Sequence, residues 1–100
     1  GVNPIIIIAD NSMYGTIGMH SYVRYPDKPF MQGTKLTNPD FAAWARSFGA
    51  EGITIQTEAD VSEAIDKAFS IRVKPVVVHC HTSAVQMSAW RKYERSETLT

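Results

Sequence analysis

The sequence predicts an α/β fold: a partial open parallel sheet of about three strands with two to three helices. Three observations carry this. Ile5-Ile6-Ile7-Ile8 and Val76-Val77-Val78 are continuous β-branched runs, the pattern of strands covered on both faces of a parallel sheet. Between them, two stretches place apolar residues at helical spacing behind helix-start signals. The resulting order is strand, short helix, long loop, helix, strand, helix, strand, which is part of an open α/β sheet.

Each element has its own local reason. The first run ends in Asp10-Asn11-Ser12, side chains that bond their own backbone in turns. Met13 to His20 reads as a short helix weakened by Gly15 and Gly18. Ser21 to Thr37 has no periodicity, carries Pro26, Pro29 and Gly33, and reads as a loop long enough to serve function. At Asn38-Pro39-Asp40, Asn38 can cap a helix, Pro39 suits its first position and Asp40 favours its positive end. Phe41, Ala42, Ala45 and Phe48 follow at helical spacing, and Gly49 is a stop. Ile53-Thr54-Ile55 alternates as a short strand. Thr57-Glu58-Ala59-Asp60 resembles a capping box with Asp in place of Glu or Gln. Val61, Ala64, Ile65, Ala68 and Phe69 then mark one apolar helical face, and Lys74-Pro75 separates it from the last strand. Ser83 to Thr100 is polar and reads as a tail or as a helix docked through Trp90 and Tyr93.

Composition narrows the function. A chain of 100 residues is one domain. Ten basic residues balance ten acidic ones, which removes the electrostatic term behind non-specific nucleic-acid and anionic-membrane binding. Arg91, Lys92 and Arg95 interleave with Trp90 and Tyr93, but Glu94 and Glu97 offset them, so the tail reads as a solvated amphipathic segment. The run Ile5–Ile8 is far short of the about 20 residues needed to span a bilayer. Cys80 stands alone, which excludes an intrachain disulfide framework and a cysteine-cluster zinc site. No basic segment precedes the apolar run as a secretory signal would require, so the expected setting is cytoplasmic, with neither nucleic acid nor membrane as partner.

Ligands of open α/β sheets bind beyond the carboxyl ends of the strands, here Asp10–Gly15 and His79–His81. At the first, a carboxylate, the Asn11 side-chain oxygen and turn carbonyls form the oxygen set of a hard cation such as Mg²⁺. Backbone amides from Tyr14 to Thr16 open the next helix and suit a phosphate. An ordinary strand-to-helix turn accounts for the same residues. At the second, strand alternation puts His79 and His81 on one face and Cys80 on the other. Two ligands do not make a zinc site, so structural histidines and a small buried cysteine are the expectation. Met13, Met19 and Met31 read as core or loop fillers.

The string Asn3-Pro4-Ile-Ile-Ile-Ile-Ala-Asp10-Asn11-Ser12-Met13-Tyr14-Gly15-Thr16 resembles the second half of the thiamine-diphosphate-binding motif of the acetolactate synthase and pyruvate decarboxylase superfamily. That motif opens with Gly-Asp-Gly and closes with Asn-Asn after a hydrophobic strand. Leu36-Thr37-Asn38-Pro39-Asp40-Phe41-Ala42, Phe48-Gly49-Ala50 and Lys74-Pro75-Val76-Val77-Val78 resemble the family as well, over about residues 1–80. The resemblance implies that Asn11 ligates Mg²⁺ through its side-chain oxygen and Met13 through its backbone carbonyl. It implies that the amides of Gly15 and Thr16 approach the diphosphate. Asp10 replaces the first Asn of the pair. Ile17 stands where pyruvate decarboxylases carry a glutamate, which favours the acetolactate synthase-like branch, and Tyr22 to Gly33 matches the variable loop near that branch's active site.

The Gly-Asp-Gly half and the glutamate that activates the thiamine ring are expected upstream of Gly1. The chain then reads as residues 1–82 of a half-domain followed by the tail 83–100, with no catalytic residue of its own. The implied activity is 2-oxo acid decarboxylation and two-carbon carboligation by the intact parent. The implied partners are the missing N-terminal part, a second copy of the chain and, in the parent, a small 2-oxo acid. The alternative is a non-catalytic α/β module, for oligomerisation or binding, that has kept the fold and lost the chemistry.

Overall fold

In the computed structural model, the structure describes residues 2–25, 27, 33–83, 86–88 and 91–92, the last two segments as backbone alone. They fall into two compact units, one of residues 1–10 with 38–82 and one of residues 11–37 with 83–100. No helix among the described residues is long and apolar enough to cross a membrane.

The first unit is a three-stranded parallel sheet in the order β1 (Ile5–Asp10), β3 (Val76–His81), β2 (Glu51–Ile55). Ile5 pairs with Val76, Asp10 with His81, and Glu51 with Val76, so the polar ends of β1 and β3 finish side by side. Strand alternation assigns the faces. On one, Ile53, Ile55, Val76 and Val78 form the buried core with Ala64 and Ala68 of α3 (Val61–Ser70), and Ile5 and Cys80 pack against it. Cys80 is half-buried against this core, less covered than the small buried residue its sequence suggests. On the opposite face, α2 (Phe41–Ser47) sits over Gly52 through the fully buried Ala42. Arg46 of the same helix donates from Nη1 to the Gly52 carbonyl at 2.8 Å.

Several local expectations shift. The helix N-cap is Asp40, whose side chain accepts from Ala43 N at 3.0 Å, and not Asn38. Asn38 is drawn away by Asp10, to which its Nδ2 donates at 2.8 Å. Gly49 does end α2, in the left-handed conformation at φ 87° that suits glycine. On α3 the two alanines are buried, while Phe69 is 64% exposed. Small side chains at positions four apart let the helix approach the sheet closely, which leaves the flanking bulky residue outside. The first strand departs most. Among the described residues β1 is an edge strand, with Ile6 47% and Ile7 58% exposed on opposite faces, and not a strand covered on both.

The capping box before α3 forms as read. Asp60 Oδ2 accepts from Gln56 N and Thr57 N, both at 3.1 Å, at a 3-10 turn over Glu58–Asp60. The backbone donor of Gln56, then that of Thr57, hold the Asp60 carboxyl below its usual range. A carboxyl with a depressed folded value stabilises the fold above its unfolded value and loses that contribution as pH falls through the folded one. Asp60→Asn is therefore expected to lower the urea midpoint at neutral pH. The gap to the parent chain should close below about pH 4, where the unfolded carboxyl protonates and the folded one follows. A gap that stays constant with pH shows the box to be neutral in effect.

The second unit contains α1 (Gly15–Arg24), which runs four residues beyond His20 into the stretch expected to be loop, Tyr22 among them. Tyr22, buried four residues after the buried Gly18, extends the helical face. Lys35 forms an antiparallel bridge with Met13, so the end of that loop is ordered against the turn. In the tail, Gln86–Ser88 (β4) and Arg91–Lys92 (β5) form a short antiparallel pair, so its described part is strand and not helix. Met31, Trp90, Tyr93 and Arg95 lie outside the described residues.

Candidate functional site

The turn after β1 is built from its own side chains. Asn11 Oδ1 accepts from Met13 N at 3.3 Å, an Asx turn. Ser12, between them, takes the left-handed conformation at φ 60°. Tyr14 N donates to Thr34 O at 2.6 Å and Leu36 N to Ser12 O at 2.7 Å. These bonds flank the Met13–Lys35 pair as in a non-hydrogen-bonded antiparallel position, so the Met13 carbonyl stays outside the ladder. The half-buried Asn11 keeps a second lone pair on Oδ1.

Helix α1 begins directly behind this turn. Its N-cap, Tyr14, makes no side-chain cap, and its first turn has no acidic residue. A ten-residue helix carries a partial positive charge at this end. Gly15 has a steric reason as well: a Cβ there would lie 2.9 Å from Asn11 Nδ2. An amide oxygen, a carbonyl and a helix N-terminus fit a Mg²⁺-diphosphate group by their chemistry. Asn11, Met13, Gly15 and Thr16, singled out in the sequence, are brought together here.

A second constellation lies in the sheet unit, at the carboxyl ends of β1 and β3. Asp10 and His79 are buried, and His79 Nε2 lies 2.7 Å from Asp10 Oδ2. Asp10 Oδ1 accepts from Asn38 Nδ2. Phe41 N, at the start of α2, donates to His79 Nδ1 at 3.2 Å, and the Phe41 ring meets the imidazole edge-on at a centroid distance of 4.9 Å. The exposed His81 stacks on His79 with ring centroids 4.2 Å apart. Asp10, His79 and His81 each offer one ligand atom within 4.8 Å of the others. The shared face of the two histidines was legible from alternation. The third group was missed, although pairing the two β-branched runs from Ile5 and Val76 puts Asp10 beside His81 by counting alone.

Comparison with curated proteins and with solved structures returned no match. Residues 1–80 match the family model of the thiamine pyrophosphate enzyme C-terminal TPP-binding domain. That span includes the whole sheet up to Cys80, both helices that cover it, and the Asn11 turn with α1. By this match over four-fifths of its length the chain belongs to the thiamine pyrophosphate enzyme family, through that family's C-terminal cofactor-binding domain.

Proposed function

We propose that the chain supplies the second half of a thiamine-diphosphate and Mg²⁺ site in an acetolactate synthase-like enzyme, acting on a 2-oxo acid in the cytoplasm. The observation that supports this most is the Asn11 turn set directly before the start of α1. Bound thiamine diphosphate supplies the carbon nucleophile and the electron sink for decarboxylation. Asn11 Oδ1 and the Met13 carbonyl would hold the metal, and the amides of Gly15 and Thr16 the diphosphate. Ile17, apolar and exposed on α1, offers no proton at the position where a related branch has a carboxyl. No residue of this chain is assigned a proton transfer.

The sequence contains no Gly-Asp-Gly, so on this reading the remaining metal ligands come from a half-domain outside these residues. A divalent ion on a diphosphate needs several fixed oxygens, and two are too few. Calorimetry of the 100-residue chain with thiamine diphosphate and Mg²⁺ is therefore expected to show no tight binding, and retention is expected once a Gly-Asp-Gly half is supplied. A dissociation constant in the low micromolar range for the chain alone would overturn the half-site. Failure to retain cofactor in the completed domain would favour the non-catalytic module.

The sheet edge supports a partner strand. Among the described residues β1 lies at the edge of its sheet with Ile6 and Ile7 exposed, and such edges recruit another chain. Alone, the protein is expected to self-associate through it. Light scattering behind a sizing column checks this, and a monomer at high concentration counts against it.

A further inference from the structure

Within the reading above, we infer that His79 is a positioning residue: a histidine locked in its Nε2–H form that holds Asp10, the residue immediately before Asn11, and does not bind metal. The lock comes from the backbone. Phe41 N is an amide and can only donate, so Nδ1 of His79 must accept and carries no proton. The ring proton therefore sits on Nε2 and is donated to Asp10 Oδ2 at 2.7 Å. Asn38 donates to the other oxygen, so both Asp10 oxygens accept, the pattern of a carboxylate.

The same tautomer argues against the metal reading of Asp10, His79 and His81. A neutral histidine that ligates through Nε2 carries its proton on Nδ1 and donates it to an outer partner. Here a donor already faces Nδ1. Zinc at Nε2 would force two N–H groups together or break the bond to Phe41. It would also have to displace the proton shared with Asp10 across 2.7 Å, in a place where both side chains are buried.

The position gives the pair its role. The Asp10 carbonyl accepts from Thr82 N at 2.8 Å, so Asp10 is held at its backbone as well as at both side-chain oxygens. The chain leaves the sheet at this residue, and the next one is Asn11. Where the family pair has an amide, Asp10 presents only acceptors, and His79 and Asn38 present only donors to it.

Two measurements test this. In the ¹⁵N-labelled 100-residue chain, long-range ¹H–¹⁵N correlation spectra are expected to show His79 as the Nε2–H tautomer, unchanged by added Zn²⁺. An Nδ1–H pattern, the averaged signature of a solvent-exposed ring, or a Zn²⁺-dependent change at His79 would each overturn the inference. In the completed cofactor domain, His79→Phe keeps a ring but loses the donor, and is expected to weaken Mg²⁺ binding by about 10-fold, the low end for an outer partner, because His79 bonds the neighbour of a ligand and not the ligand itself. His79→Gln, which restores an N–H near the Nε2 position, is expected to recover most of it. Asn11→Ala separates the two levels of the argument. If it abolishes Mg²⁺ binding while His79→Phe leaves it intact, the positioning role fails and the cofactor site stands. If Asn11→Ala itself has no effect, the cofactor site fails.

Discussion

Gly52→Ala is expected to destabilise the fold by about 3 kcal/mol or more, at the upper end of what overpacking costs. The reason is contact with backbone. A Cβ at position 52 would fall inside the envelope of the Ala42 carbonyl oxygen, 2.7 Å from the carbonyl carbon and 2.8 Å from Cα. No rotamer change relieves this, because the obstructing atoms belong to the main chain of α2. Either α2 or β2 must move. A shift of α2 removes the Arg46 bond to the Gly52 carbonyl and the Phe41 N donor to His79, both of which depend on where that helix starts and lies. Gly49 provides the control. It has open space around it but a positive φ of 87°, so Gly49→Ala suffers only the left-handed penalty of about 1–2 kcal/mol. Urea unfolding of both variants should rank Gly52→Ala clearly below Gly49→Ala. The double variant Gly52→Ala with Ala42→Gly should remain as unstable, since removing the Ala42 methyl leaves its carbonyl in place. Equal midpoints for the two single variants would show that α2 is not seated on β2 at this distance.

That close seating also marks where sequence reading succeeds and where it stops. Ile5–Ile8, Val76–Val78, the Thr57–Asp60 box and the Gly49 stop carry their conformations in residues next to one another, and all form where the pattern places them. Asn38 illustrates the other case. As an isolated residue before a helix it caps as well as Asp40 does, yet its partner is Asp10, 28 positions away, and the cap falls to Asp40. The exposed Ile6 and Ile7 follow the same logic: a β-branched run reports what a strand is suited to, while its coverage depends on the other strands present. The Asn11 turn was legible because its chemistry is local, an amide two residues from its donor with a glycine just beyond. The Asp10–His79 pair was not, because it needs the register of two strands and the backbone of a third element.

Asn11 is the residue on which the cofactor reading turns, and its replacement should have very unequal consequences in two settings. In a completed domain, Asn11→Ala removes an oxygen from a doubly charged ion that has few others, and Mg²⁺-dependent retention of thiamine diphosphate should fall about a hundredfold or more, beyond what loss of an outer partner costs. In the chain alone the same change removes one part-buried turn bond to Met13 N, worth about 0.5–1.5 kcal/mol. Gly15→Ala reaches the same atom from the other side. Its Cβ would stand 2.9 Å from Asn11 Nδ2, and the obstructing group is the end of a flexible side chain, so the amide can swing away at little expense to the fold. Swinging it away misplaces Oδ1. Gly15→Ala is therefore expected to keep the urea midpoint near that of the parent chain and still to impair retention in the completed domain, through Asn11 and without touching its chemistry. Equilibrium dialysis against thiamine diphosphate and Mg²⁺, run beside urea unfolding, reads both quantities. If Asn11→Ala unfolds the chain while retention in the completed domain is unchanged, Asn11 is a turn former and not a ligand. If retention falls in both variants with the fold intact, the turn holds the metal by geometry that Gly15 exists to permit.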